Sequence, residues 1–174
     1  MRMEVVTGPD SVRDQALCQL VEQHQTALLR MCFLYLRDEA LAEDAVQETF
    51  IKAYRAMPTF RGDCSEKTWL MRIAINTCRD MQRSGWFRHV DRRVTLDKLP
   101  EASAGFTDRD EELTLAVMRL PRKCKEVIML RYYQQMSVAE ISESLNVTAS
   151  TVSNQINRAK KKLRSMLERG HSDV

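Results

Sequence analysis

From Val12 to Arg37 the apolar side chains Leu17, Leu20, Val21, Leu28, Met31, Cys32 and Tyr35 recur every three or four residues, with charged positions between them. That spacing predicts an amphipathic helix. After a polar break at Arg37-Asp38-Glu39 the pattern resumes from Leu41 to Arg55 and stops at Pro58, because the residue before a proline disfavours helical dihedrals. Phe60 to Ser65 reads as a short turn. Trp69 to Arg83 then reads as a third long helix, with Trp69, Ile73, Asn76 and Asp80 near one stripe. Three helices with short connections predict one bundle over residues 12–83.

Residues 84–112 show no sustained period and contain Gly85, Pro100 and Gly105, so a flexible linker is expected there. Trp86 and Phe87 within it are expected either to dock on one of the domains or to contact DNA. Leu113 to Leu120 predicts a helix stopped before Pro121, and Arg122 to Tyr133 another. The next piece is sharper. Ser137-Val138-Ala139-Glu140 fits a capping box, in which the serine accepts from an orphan amide and the glutamate reaches back from three residues on. Val138, Ile141 and Leu145 give the following short helix an apolar face. Asn146-Val147-Thr148 predicts a tight turn, with Thr148 placed to cap the next helix. In that helix Val152, Ile156, Ala159 and Leu163 face inward, leaving Ser150, Ser153, Asn154, Asn157 and Arg158 outward. The whole reads as a helix-turn-helix over about residues 137–156, inside a second small domain at 113–170. The expected fold is therefore all-α, two small helical domains joined by a linker.

Composition agrees: five glycines and four prolines in 174 residues are few for an all-β chain. Charge adds something the helices do not. The net charge is only +3, yet residues 113–174 hold 11 basic against 5 acidic side chains, so the excess is confined to the C-terminal third. A polyanion-binding end on a differently engaged front end has this distribution, although a solvated basic helix does too. Arg158-Ala159-Lys160-Lys161-Lys162 directly after the helix-turn-helix favours the first: polar side chains near the start of the second helix reach base edges, and the cations below them neutralise phosphates.

Cys18, Cys32, Cys64, Cys78 and Cys124 are odd in number and widely spaced, with no CxxC pair, so neither a disulfide framework nor a metal site is expected, and His24 between two of them adds no convergent ligand set. Free buried thiols in a reducing cytoplasm are the expectation. The first fifteen residues lack the apolar stretch of a signal peptide, and no run approaches the length of a membrane span. Three scattered histidines and the lack of a glycine-rich phosphate loop offer no nucleophile-base pair, so no enzymatic activity and no cofactor are expected.

Four motifs now stand in one order. Asp44 to Arg55 (DAVQETFIKAYR) resembles region 2.2 of the RNA polymerase sigma factors, and Phe60-Arg61-Gly62-Asp63 through Thr68 to Asn76 (TWLMRIAIN) resembles regions 2.3 and 2.4. Leu120 to Tyr132 resembles region 4.1, and Met136 to Leu163 region 4.2. With only a linker between the halves, the chain resembles the extracytoplasmic-function group of the sigma-70 family.

The resemblance implies a function: binding core RNA polymerase and directing initiation at promoters through a -35 duplex element and a -10 single-stranded element. It implies that Asp44, Gln47, Glu48 and Ile51 meet the β′ clamp helices, while the second domain meets the β flap. Phe50 and Tyr54 are expected to be core. For the -10 element it implies the loop Phe60, Arg61, Asp63, Cys64 and Ser65 with Thr68, Trp69, Arg72, Asn76, Arg79, Asp80 and Arg83. Asn76 and Asp80 would assist base reading, Trp69 would support the loop, and the arginines would contact phosphates. For the -35 element it implies Thr148, Ser150, Thr151, Ser153, Asn154, Asn157, Arg158 and Lys161. A regulatory anti-sigma partner, often membrane-bound, is implied as well.

This chain departs from the family after Thr151-Val152: Ser153-Asn154-Gln155-Ile156-Asn157 stands where Lys or Arg is usual. Asn and Gln suit adenine and Arg suits guanine, so a -35 preference shifted toward A·T pairs is expected. Two other readings compete. A stand-alone dimeric helix-turn-helix regulator would bind duplex operators without polymerase, and a protein-binding adaptor would carry the basic end only as a solvated tail. Neither needs the acidic Asp44/Glu48 face together with the Phe60 to Asn76 segment.

Overall fold

In the structure, a computed structural model describing residues 9–83 and 108–170, the described residues form helices, turns and no strand. Helix α1 runs Pro9–Leu36, α2 Glu39–Ala56 and α3 Glu66–Arg83. All three begin earlier than periodicity indicated, because first-turn residues are polar and carry no apolar signal. Arg37 turns the chain between α1 and α2 with a positive φ of 61°. Asp38 then caps α2, its carboxylate accepting from the Leu41 amide at 2.8 Å. A 3-10 turn, Met57–Thr59, closes α2 around Pro58.

The second half comprises α4 (Asp108–Arg119), α5 (Arg122–Ile128), a π-helical stretch (Met129–Tyr133), α6 (Val138–Leu145) and α7 (Ala149–Gly170). Helix α4 starts inside the segment read as linker, because its first turn is a run of charged residues without an apolar period. Trp86 and Phe87 lie outside the described residues. The continuous helix expected over 122–133 is instead α5 followed by the wider π turn, where Gln134 donates to the Met129 carbonyl at 3.1 Å.

Helices α1, α2 and α3 pack on one another, and α7 packs on α4, α5 and α6. The two groups do not stand apart. Helix α3 packs against α6, and α1 against α4 and the π stretch, so the buried apolar side chains of both halves form one cluster. The last turns of α1 show why. Met31, Cys32, Phe33, Leu34, Tyr35 and Leu36 are all buried, at 2% exposure or less. A helix apolar on every side needs cover on every side. Here α2 and α3 cover one flank and the C-terminal half the other.

Polar groups tie the halves together across this contact. Glu126 of α5, 2% exposed, accepts the Tyr35 hydroxyl at 2.7 Å and two N–H groups of Arg79 at 2.9 and 2.8 Å. Burial and the adjoining carboxylate push the Tyr35 phenol far above its ordinary range, and the hydrogen bonds to Glu126 hold Arg79 charged. Gln134, 3% exposed, donates to the Ala27 carbonyl at 3.1 Å, and Arg37 donates to the Met118 carbonyl.

Candidate nucleic-acid interface

Helix α7 presents what its sequence indicated. Val152 and Ala159 are fully buried and Ile156 is 8% exposed, while Ser150, Ser153, Asn154, Asn157, Arg158 and Lys161 lie open. The turn before it is built as expected. Ser137 accepts from the Glu140 amide at 3.2 Å and Glu140 accepts from the Ser137 amide at 2.8 Å, closing the capping box and holding the Glu140 carboxyl below its usual range. Asn146 ends α6 in the left-handed region (φ 53°, ψ 52°), which asparagine tolerates better than most residues. Thr148 caps α7 by accepting from the Thr151 amide at 3.2 Å. Thr148 is exposed and Thr151 half-buried at the head of the helix.

The α2 face is equally open. Asp44, Gln47 and Ile51 are exposed, Ile51 at 45%, and Glu48 is half-buried beside Lys52 at 3.5 Å. An exposed isoleucine beside carboxylates results. Phe50 belongs to the core, as expected; Tyr54 is only half-buried, hydrogen-bonded to Asp14 at 2.8 Å under the Arg13 guanidinium.

The loop between α2 and α3 carries Phe60, Arg61, Asp63, Cys64 and Ser65. Phe60 stacks on Trp69 at 4.8 Å between ring centres, so Trp69 supports the loop. Gly62 takes a φ of 73°, which suits a residue without a side chain. Ser65 accepts from the Thr68 amide at 3.1 Å and so caps α3. Burial and the nearby Glu143 carboxylate raise the Cys64 thiol above its ordinary value, so it is the less nucleophilic thiol form near neutral pH.

Along α3 the candidates divide. Asn76 and Asp80 are exposed, with Arg79 donating to the Asn76 side chain at 3.3 Å and Arg83 standing 3.9 Å from Asp80. Thr68, Arg72 and Arg79 meet the C-terminal half, Thr68 buried there and Arg72 still 38% exposed along its side chain. Thr68 is fully buried, its carbonyl accepting from Ser144 at 3.3 Å. Arg72 pairs with the Glu143 carboxylate at 3.4 Å and donates to the Glu143 carbonyl at 3.0 Å. These partners escape sequence reading because Glu126, Glu143 and Ser144 belong to helices whose own periodicity is already satisfied.

Cys32 and Cys78 stand 3.7 Å apart, sulfur to sulfur, both fully buried, so two cysteines far apart in sequence share one core position. Cys124 is buried too, whereas Cys18 is exposed and Cys64 half-buried, contrary to the expectation that all five are buried. Among the described residues no cluster of His, Cys, Asp and Glu fits a metal ion, and no helix is long and apolar enough to cross a membrane.

Known proteins share both halves. The family described as Sigma-70 region 2 matches residues 20–88, and Sigma-70, region 4 matches residues 110–163. RNA polymerase sigma-H factor of Pseudomonas aeruginosa is 32% identical over 86% of this chain and 84% of its own length. The chain belongs to the sigma-70 family of RNA polymerase sigma factors. Within the family it is an extracytoplasmic-function sigma factor: the ECF RNA polymerase sigma factor SigE of Mycolicibacterium smegmatis is 30% identical over 95% of this chain and 68% of its own. The structure of CnrH in complex with the cytosolic domain of CnrY superposes on this sigma factor with a TM-score of 0.71 at 27% identity, over 90% of each chain. The dimeric-regulator reading of the helix-turn-helix is thereby disfavoured.

Proposed function

We propose that this sigma factor divides promoter recognition between its halves as follows. The α2 face Asp44, Gln47, Glu48 and Ile51 docks on the β′ clamp helices of core polymerase, where a basic coiled coil complements carboxylates beside an exposed isoleucine. The Phe60 to Ser65 loop and the Asn76/Asp80 edge of α3 take the -10 strand. Extruding a base costs a few kcal/mol, which loop contacts and stacking offset. Helix α7 enters the -35 major groove, with Ser153, Asn154 and Asn157 toward base edges and Arg158 and Lys161 toward phosphates. The amide-bearing face in place of arginines favours A·T pairs.

The observation that carries this reading is the α7 face itself: a capped helix-turn-helix that leaves Ser150, Ser153, Asn154 and Asn157 exposed and whose lower half is cationic. The sigma factor makes no phosphodiester bond; differential binding lowers the free energy of one promoter complex and polymerase supplies the chemistry. Its site of action is the cytoplasm, with core polymerase and promoter DNA as partners and a regulatory anti-sigma factor as a third. The complex of CnrH with the cytosolic domain of CnrY is the precedent for that third partner. Run-off transcription from a promoter library, with purified core polymerase plus this protein, tests the reading. Transcripts that share a -35 and a -10 element are expected; silent core polymerase refutes it.

A further inference from the structure

Cys32, near the end of α1, and Cys78, near the end of α3, are 46 positions apart in sequence and 3.7 Å apart, sulfur to sulfur. No atom fits between them, and both are fully buried. Cys78 also stands at a sensitive place on its helix. Asn76 and Asp80, the exposed groups of α3 assigned above to the -10 strand, lie two residues to either side of it. A displacement of α3 at Cys78 therefore carries both of them along.

Two neutral thiols replaced by a neutral disulfide bring no charge into the core, so burial does not oppose the oxidised form. The bond itself does ask for movement. A disulfide measures about 2.05 Å, so the sulfurs must close by roughly 1.6 Å. In an interior packed like a crystal, side-chain rotation supplies part of this and a shift of α1 against α3 the rest. Full burial excludes a bulky oxidant such as glutathione disulfide and leaves hydrogen peroxide, which is little larger than water.

We propose that Cys32 and Cys78 are a redox pair, joined by hydrogen peroxide as a disulfide that ties α1 to α3 and displaces the Asn76/Asp80 edge from the geometry that takes the -10 strand. One sulfur, as thiolate, attacks a peroxide oxygen and leaves as a sulfenic acid, the hydroxide released taking up the thiol proton as water. The second sulfur attacks the sulfenic sulfur, its S–O bond breaks, and a second water leaves. Two thiols and one peroxide thus give one disulfide and two waters, with two electrons passed to the peroxide. Cys78 donates its thiol hydrogen to Cys32, and that bond, with burial, holds the Cys78 thiol well above its ordinary value. Thiolate is scarce near neutral pH, so the pair answers sustained peroxide and ignores a brief pulse. This rests on the assignment of the α3 edge to the -10 strand proposed above.

The test treats the full-length protein with hydrogen peroxide, removes the excess with catalase, and then adds core polymerase. Peptide mass mapping without reductant is expected to show Cys32 joined to Cys78. Promoter opening is expected to slow about tenfold, since small misplacements of a binding group are costly. Dithiothreitol is expected to restore it, which separates the disulfide from methionine sulfoxide. Binding of -35 duplex DNA by the free protein stays at the untreated level. Cys32→Ala and Cys78→Ala, two variants that remove the pair from either side, are each expected to open promoters equally fast before and after peroxide. Cys64→Ala, which removes the half-buried loop thiol, is expected to be slowed by peroxide as the wild type is. Absence of the Cys32–Cys78 link after prolonged exposure overturns the inference. So does a linked protein that opens promoters as fast as the reduced one, or a Cys78→Ala variant as peroxide-sensitive as the wild type. Failure of the -10 assignment shows elsewhere: in the reduced holoenzyme, Asn76→Ala would then leave promoter opening unchanged.

Discussion

Replacing Glu126 by alanine tests the contact between the halves directly. The carboxylate accepts three hydrogen bonds at 2.7 to 2.9 Å, from Tyr35 and Arg79, and is itself 2% exposed. Its removal leaves the buried Tyr35 hydroxyl without that acceptor, a loss of about 1–3 kcal/mol. It also leaves Arg79, whose side chain is 22% exposed, without its counter-ion, and breaking a buried pair from one side costs about 3–5 kcal/mol. The two overlap because one carboxylate serves both, so the expected total is about 4 kcal/mol. Arg122, 3.9 Å away and 47% exposed, adds little. Urea unfolding of Glu126→Ala, Tyr35→Phe and the double variant reads both the total and the coupling. The coupling between Tyr35 and Glu126 is expected at about 1–2 kcal/mol. A loss below about 1 kcal/mol for Glu126→Ala would mean that water already surrounds this group, and would refute the closed contact.

Lys125, next in sequence and 6% exposed, is a second handle: burial, with Arg37 nearby, brings its ammonium down to about 8 from 10.5. Between those values the unfolded chain holds a proton that the folded one has released, so stability is expected to rise with pH across that window. Lys125→Met should flatten the rise and add about 2–3 kcal/mol at neutral pH, where the charged amine is buried at full cost; an unchanged pH profile would contradict this. On α2, Glu48→Arg should weaken association with core polymerase at least about tenfold in a pull-down titration, through like-charge contact with a basic partner, while thermal unfolding stays near wild type. On α7, Asn154→Ala should change the -35 base preference by about 1–3 kcal/mol at the affected pair, whereas Lys161→Ala should weaken all sequences alike and lower the salt slope by about one. Equal effects of the two across sequences would remove the division between readout and phosphate contact.

Local chemistry made much of this protein legible in its sequence. The capping box at Ser137 and Glu140, the tight turn at Asn146, the Thr148 cap and the buried Val152–Ile156–Ala159 stripe, whose members stand three and four residues apart, are each settled by near neighbours in the chain, and each stands in the structure as its spacing indicates. Residues that open an element without an apolar signal were not legible, which is why α1, α3 and α4 start earlier than expected. Neither was the π stretch, since one extra residue in a turn leaves a buried apolar run looking helical.

What the sequence determined, then, is interactions whose partners are near neighbours: the helices, the caps and turn of the helix-turn-helix, and the two helical halves themselves. Only tertiary structure decided how those halves meet. Tyr35 finds Glu126 from 91 positions away and Gln134 finds Ala27 from 107, distances over which no periodicity carries information. One trace of it was present in the chain. The run Met31 to Leu36 has no polar side to turn toward water, and such a helix must be covered on both flanks. Hydrophobic burial is non-directional, so that run demands a partner without naming one. The choice of the C-terminal half, and with it the pairing of Arg72 with Glu143 and the withdrawal of Arg79 from solvent, follows from directional hydrogen bonds and paired charges that exist only once the fold has brought them together.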